Sequence, residues 1–309
     1  MALLCFETHP NPGARPATSP ARPVRVPRWC VAVSRVTLLF VDGLGLSDDA
    51  RSPLRTVSLP TLARLTNGFA LEPFSGDGVE YRLLDATLAV DGLPQSATGQ
   101  TSLLTGVNAA EVLGRHQGPH PGARLQALLT EGSIHVWAAR RGLSVYHANG
   151  YRREYLERIA GSRRNMRSAF AFAARAAGLE LLELDDPRAH RPAYWPDPEA
   201  AGRRLAREAE VHHLTVLEYW ALDWAGHREP ETVPARLTEL DRFVRGYLDA
   251  ETDTSLMMVA DHGNAEEPWH GRHTRNPVPL IVAGSTHAGP HEGRADLTTV
   301  HSLLRQMLA

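Results

Sequence analysis

The sequence predicts an α/β protein, a doubly wound and mostly parallel sheet with helices on both faces and a small inserted lid. Three features predict it. Apolar runs of strand length recur along the chain, VTLLFV at 36–41, LTVLEYW at 214–220, SLMMVA at 255–260 and PLIVAG at 279–284. Near-continuous apolar character is what strands covered on both faces require. The text between them carries helical spacing, and regular alternation of the two element types points to parallel pairing.

Taken in order, residues 1–34 read as a flexible Pro- and Arg-rich leader, because ETHPNPGARPATSPARPVRVPR has no apolar periodicity to offset the entropy of ordering. The core is expected over 35–309. Its first strand is VTLLFV, which ends at Asp42 and Gly43, followed by a helix over Leu59–Leu65. A second strand is predicted at Ala86–Val90, ahead of the loop DGLPQ and a short helix starting near Ser96. SIHVWAARRG then reads as a helix and LSVYHANG as a strand. Residues 151–207 change character, with arginine-rich helical text followed by the Pro- and Asp-rich PRAHRPAYWPDPEA, and are expected to form the inserted lid. The core rhythm returns with LTVLEYW and a helix whose Leu237, Leu240, Phe243, Val244, Tyr247 and Leu248 share one face. The strands SLMMVAD and PLIVAG follow, and a last helix over Leu297–Leu308 is expected to be capped by Asp296.

Composition narrows the function classes. The formal net charge of −2 on 309 residues gives no bulk field toward nucleic acid or an anionic membrane. All 33 basic residues are arginine, which excludes a Schiff-base lysine and the lysine-bearing phosphate loop of nucleoside triphosphatases. The two cysteines, Cys5 and Cys30, lie far from every polar motif, so no thiolate metal site is expected. No stretch approaches the roughly 18 apolar residues of a membrane span, and a cytoplasmic location is the expectation.

In an open parallel sheet, ligands bind beyond the carboxyl ends of the strands. VTLLFV is followed there by Asp42, LTVLEYWAL by Asp223 and SLMMVA by Asp261, with His227 four residues past one and His262 beside another. The segment ADHGNAEEPWHGRHTRNPVP adds His270 and His273 in a Gly-bearing loop between two apolar strands. Oxygen and imidazole donors converging from several strands suit a divalent metal. Each alone has a plain structural alternative, since an aspartate after a strand is commonly a turn former. Ser96 has two readings from spacing, a hydroxyl activated beside a dication or an ordinary helix N-cap.

FVDGLG, QSATGQTSLLTG, LDWAGH, ADHGNAEE and HTRNPVP together resemble the alkaline phosphatase superfamily, nearest the cofactor-independent phosphoglycerate mutase and phosphopentomutase branch. The resemblance implies an alkaline phosphatase-like fold and two divalent ions, manganese or zinc. It assigns one ion to Asp42, Ser96, Asp261 and His262 and the other to Asp223, His227 and His273. It also makes Ser96 the nucleophile that takes a phosphoryl group from a small phosphorylated substrate. Two departures stand out. Only about 20 residues follow TGVNAAEV before the next helices, so the large cap domain of the mutases is missing, which tilts the expectation from phosphomutase toward hydrolysis of a phosphate ester or diester. Gln100 stands where the mutases have histidine. In GRHQG, Arg115, His116 and Gln117 are candidate phosphate contacts, Asn149 a candidate pocket residue, and Arg152, Arg153, Arg163 and Arg164 sources of positive charge from the lid. A sulfatase is disfavoured, because no cysteine stands at the nucleophile position. A metal-binding relic without catalysis is the third reading. The sequence gives no oligomeric state and no substrate identity.

Overall fold

The computed structural model describes residues 34–161, 167–284 and 295–309. The expected leader, apart from Ser34, lies outside the described residues, as do Cys5, Cys30, Arg163 and Arg164.

Strand β1 (Arg35–Val41) is buried from Val36 to Val41, as a strand covered on both faces must be. Helices α1 (Pro53–Thr56) and α2 (Pro60–Leu65) each open on proline, whose missing N–H costs nothing in a first turn. Strands β2 (Phe74–Gly76) and β3 (Val79–Leu84) form an antiparallel pair. Helices α3 (Ser96–Thr105), α4 (Ala109–Leu113), α5 (Ala123–Gly132) and α6 (Ile134–Arg140) lead to β4 (Val145–His147). Next come β5 (Gly150–Tyr151), α7 (Arg153–Gly161), α8 (Ala169–Ala176), β6 (Leu182–Glu183) and α9 (Pro198–Ala209). The chain closes with β7 (Leu214–Tyr219), α10 (Ala221–Arg228), α11 (Val233–Leu248), β8 (Thr254–Val259), β9 (Val278–Ala283) and α12 (Thr299–Met307).

The main sheet has the order β2-β3-β9-β8-β1-β7-β4. β1 pairs in parallel with β7 and β8, and β4 in parallel with β7. β9 is antiparallel to both β8 and β3, so β3 again points with β1 and the sheet is mostly parallel. Thr37 and Phe40, three residues apart on β1, face opposite sides of the sheet. On one side Tyr247 of α11 donates its hydroxyl to Thr37 Oγ1 at 2.7 Å. On the other, Phe170 of α8 stacks on Phe40 with ring centroids 4.4 Å apart. Helices therefore cover both faces.

Three elements differ from expectation or refine it. Ala86–Val90 is a turn and not a strand, with Leu88 and Ala89 at φ +52° and +55°. Its apolar alternation reflects burial of Ala86 and Leu88 through a turn that Asp85 holds by accepting the Thr87 N–H at 2.9 Å; the strand of this region is β3. Asp296 accepts the Thr298 N–H at 2.8 Å, one turn ahead of α12, whose N-cap is Thr298. Within 151–207, Phe170 of α8 and Leu205 and Ala206 of α9 join the main core, while Ile159, Ala171, Ala174 and Leu181 form a smaller cluster joining α7 to α8. Only α4, α5 and α6 intervene between α3 and β4.

Candidate metal centre

Because β7, β1 and β8 are adjacent and parallel, the residues that follow them share one edge of the sheet. Asp42 follows β1, Asp223 lies in the first turn of α10 after β7, and Asp261 and His262 follow β8. Gly43 lets the first two meet. Its φ is +77°, and a Cβ there would lie 2.9 Å from the Asp223 main chain. Ser96 is the first residue of α3, whose N-cap is Gln95, so the serine is not the cap.

The structure brings all seven ligand candidates together. His262 Nε2 lies 3.3 Å from Asp42 Oδ1, 3.6 Å from Asp261 Oδ2 and 3.1 Å from Ser96 Oγ. Asp223 Oδ1 lies 3.3 Å from His227 Nε2 and 3.5 Å from His273 Nε2, and the two Nε2 atoms are 3.0 Å apart. The groups are contiguous, since the His262 and His273 rings stack at 3.7 Å. Donor atoms of Asp42, Asp261 and His262, and likewise of Asp223, His262 and His273, lie within 4.8 Å of one another.

Partners behind the cluster orient its donors. His227 Nδ1 donates to the Gly271 carbonyl at 2.9 Å and His273 Nδ1 to the Pro94 carbonyl at 2.7 Å. A carbonyl can only accept, so Nδ1 carries a proton in each ring and Nε2 is the atom each ring turns toward the cluster. Gln100 Nε2 donates to Asp261 Oδ2 at 3.3 Å and Asp42 Oδ2 at 3.5 Å, beneath both carboxylates. Asn264 Nδ2 donates to Asp223 Oδ1 at 2.9 Å.

Electrostatically the cluster is frustrated. Asp42 Oδ1 and Asp261 Oδ1 are buried with no hydrogen-bond partner among the described residues. Burial, then the facing Asp261, drives the Asp42 carboxyl well above its usual range, and burial with nearby Asp223 pushes Asp261 up to about 7. Burial brings His262 down to about 3. Burial also works to raise Asp223, but hydrogen bonds from His227 and His273 outweigh it and hold this carboxyl low, while His227 rises through its bond to Asp223. Partnerless buried carboxylate oxygens gathered beside imidazole Nε2 atoms fit a divalent cation, which would supply the missing partner.

A cleft of about 390 Å³ opens over the cluster, lined by Ser96, Asp223, His227 and His273 together with Leu93, Gln95, Gly118, Pro119, Gly271 and Arg272. Of the GRHQG loop, Gly118 and its neighbour Pro119 reach the cleft. Arg115 is exposed, His116 Nε2 bonds the Val90 carbonyl at 3.2 Å, and Gln117 Nε2 bonds the His120 carbonyl at 3.1 Å. Asn149 is a correction. It is 3% exposed, and its amide exchanges both bonds with the Glu218 main chain, at 2.8 Å each, tying the segment just past β4 to β7 instead of lining this cleft. Arg272 and Glu266 went unread in the sequence. The first carried the signal of an arginine beside His273 in a Gly-bearing loop; the second lies in the AEE that follows ADHGN.

Residues 199–305 match the family model described as the metalloenzyme superfamily. Five of the seven ligand candidates, Asp223, His227, Asp261, His262 and His273, fall inside this stretch, and Asp42 and Ser96 fall outside. Among solved structures, the PH0037 protein from Pyrococcus horikoshii is similar at 12% identity and a TM-score of 0.58, over 89% of this chain and 97% of that one. Phosphoglycerate mutase from Leishmania mexicana is similar at 10% identity and a TM-score of 0.58, over 91% of this chain and 96% of that one. Both likenesses concern the fold, which therefore extends well beyond the matched stretch. No curated protein sequence matches the chain significantly. Among the described residues no helix is long and apolar enough to cross a membrane.

Proposed function

We propose that this protein is a metalloenzyme that transfers phosphoryl groups from small phosphate esters or diesters to water by way of Ser96. One observation carries the reading. The Ser96 hydroxyl, at the first position of α3, lies 3.1 Å from His262 Nε2 in the cleft that Asp223, His227 and His273 also line. Asp42, Ser96, Asp261 and His262 would hold one divalent ion and Asp223, His227 and His273 a second, and the mixed oxygen and imidazole set suits manganese or zinc. Bound there, the ions supply charge neutralisation at the phosphoryl oxygens and favour the ionised serine.

The chain's own residues do the rest. Ser96 Oγ attacks phosphorus as the ester oxygen departs, giving a phosphoserine. The positive end of α3 favours the phosphate that forms at its first residue. Arg272, exposed at the cleft edge, is placed to donate to phosphoryl oxygens. Water then attacks the phosphoserine, releasing phosphate and restoring the hydroxyl. The short connection between α3 and β4, which holds no cap domain, favours water as acceptor. A phosphomutase would return the phosphoryl group to the retained substrate, a reading to which the fold shared with phosphoglycerate mutase lends weight.

A phosphate-release screen over phosphosugars, nucleotides and diesters, with manganese and zinc in parallel, tests the proposal. Free phosphate accumulating with the dephosphorylated product supports hydrolysis. An isomerised phosphoester without free phosphate makes the enzyme a mutase. Inertness of the metal-loaded protein toward the whole panel supports the non-catalytic reading.

A further inference from the structure

A second cavity is larger than the cleft over the metal cluster. About 620 Å³ in volume, it lies between α7 and α10, within the usual range of small-molecule sites. Helix α10 is the wall the two hollows share. Asp223 and His227, one turn apart, face the cluster; Trp220 and Trp224, likewise one turn apart, face the cavity from the neighbouring side of the same helix. A helix is roughly 10 Å across with its side chains, so a ligand of about that length can lie over α10 with one end in each hollow.

The chemistry of the cavity is aromatic and cationic. Its floor is rigid, because the Tyr151 hydroxyl lies 2.7 Å from His147 Nε2 and donates to Glu218 Oε1 at 3.0 Å, both partners being buried. Tyr155 stacks on Tyr151 at 5.4 Å, and the Arg158 guanidinium lies 5.5 Å over the Tyr155 ring. On the opposite wall the residues Trp220 and Trp224 are 37% and 48% exposed, far more than tryptophans serving only as core, with the Arg228 guanidinium 4.9 Å over the Trp224 ring. Four arginines line the cavity against one acid, Glu229, whose Oε1 accepts the Trp224 indole N–H at 3.4 Å. Arg236 is occupied by Glu239 at 2.8 Å. Among the described residues Arg152 and Arg191 meet no carboxylate within ion-pairing distance, although both line the cavity. Paired flat walls with uncommitted guanidinium groups are complementary to a flat body bearing an anion.

We propose that this cavity receives the leaving group of the substrate and selects an elongated one, with a flat apolar body ending in a second anionic group. This rests on the phosphoryl-transfer reading, and its test has an arm that does not. The arm independent of turnover is calorimetric titration of para-biphenylcarboxylate into the full chain and into the Arg152→Ala/Arg191→Ala variant. Affinity is expected to fall about tenfold in the variant, the cost of losing charge-assisted bonds to one anion; equal affinity in the two proteins overturns the proposal. The second arm compares two phosphate esters, of para-hydroxybiphenyl and of its carboxylated counterpart. The double variant is expected to raise KM for the carboxylated ester about tenfold more than for the uncharged one. A rise equal for both esters overturns the assignment as a leaving-group pocket. If the manganese- or zinc-loaded protein releases phosphate from the broad panel but turns over neither biphenyl ester, the leaving-group role fails while the phosphoryl-transfer reading stands; inertness toward the panel as well fails both, whatever the titration shows about the pocket.

Discussion

The Glu266 carboxylate accepts the main-chain N–H of Gly45 at 3.0 Å, joining the loops after β1 and β8 across 221 residues of chain. The same carboxylate accepts the Asn264 N–H at 2.7 Å, the Asn276 amide at 3.1 Å and the Thr274 hydroxyl. It is fully buried, so Glu266→Ala strands these donors away from water at about 1–3 kcal/mol each. Urea unfolding is expected to show a loss of about 3–5 kcal/mol, with weaker metal binding because Asp42 and Asp261 sit on the joined loops. A loss under about 1 kcal/mol would contradict the tie.

Asp42 and Asp261 confront each other with buried oxygens that lack hydrogen-bond partners among the described residues. Neutralising one should relieve the metal-free protein while spoiling the metal-bound one. Metal-free Asp261→Asn at pH 8 is expected to melt higher than the metal-free parent by the ~2–4 °C that follows from about 1 kcal/mol in a chain of this size. Manganese or zinc should raise the melting temperature of the parent by more than that of the variant, which keeps the Asp223, His227 and His273 donors. Calorimetry with and without chelator checks both signs.

Glu218 is a buried acid outside the cluster, pushed up to about 7 by burial. Its folded pKa lies above the unfolded value, so the neutral form's stability is fully present below about pH 4.5 and is lost as pH rises toward 7. At roughly 1.4 kcal/mol per pKa unit, the loss approaches ~3 kcal/mol. His147 beside it, brought down to about 4 by burial, contributes the opposite slope, so the difference between two proteins is the useful quantity. Glu218→Gln should gain stability relative to the parent as pH rises from 4.5 to 7, read from paired urea titrations. A constant difference across that window would show that the carboxyl is ionised throughout.

Helices α9 and α11 cross at glycine contact. A Cβ on Gly202 would stand 2.0 Å from the Phe243 carbonyl oxygen and 2.7 Å from the Tyr247 nitrogen, both main-chain atoms that cannot step aside without moving α11. Gly202→Ala is expected to cost about 2–3 kcal/mol by overpacking, with turnover per folded molecule nearly unchanged. Thermal unfolding and an activity assay on the folded fraction distinguish this from an effect on the cleft.

These residues also show what was legible beforehand. Asp42, Asp223 and Asp261 could be read because each follows an apolar strand, and parallel neighbours carry their carboxyl ends to one edge. The division of seven donors into two sets came only from the family resemblance, and the contiguous stack of His262 on His273 shows why spacing could not supply it. Ala86–Val90 misled because a buried turn and a strand bury alternate side chains alike. Glu266 was illegible for a different reason. Its four donors come from Gly45 and from the 264–276 loop, and nothing local says that an acid in AEE turns inward. Asn149 lies two residues past the end of β4 instead of ending it, and its amide serves the neighbouring strand β7, a choice set by tertiary pairing.

The most direct test of Ser96 as phosphoryl acceptor is mass spectrometry of the metal-loaded protein quenched in acid during turnover of a phosphate ester. The expected result is one added phosphoryl group on the peptide containing Ser96, absent from Ser96→Ala, whose turnover should fall by at least about 10³-fold. A phosphoryl group on any other residue, or a Ser96→Ala protein that turns over at the parental rate, would contradict it.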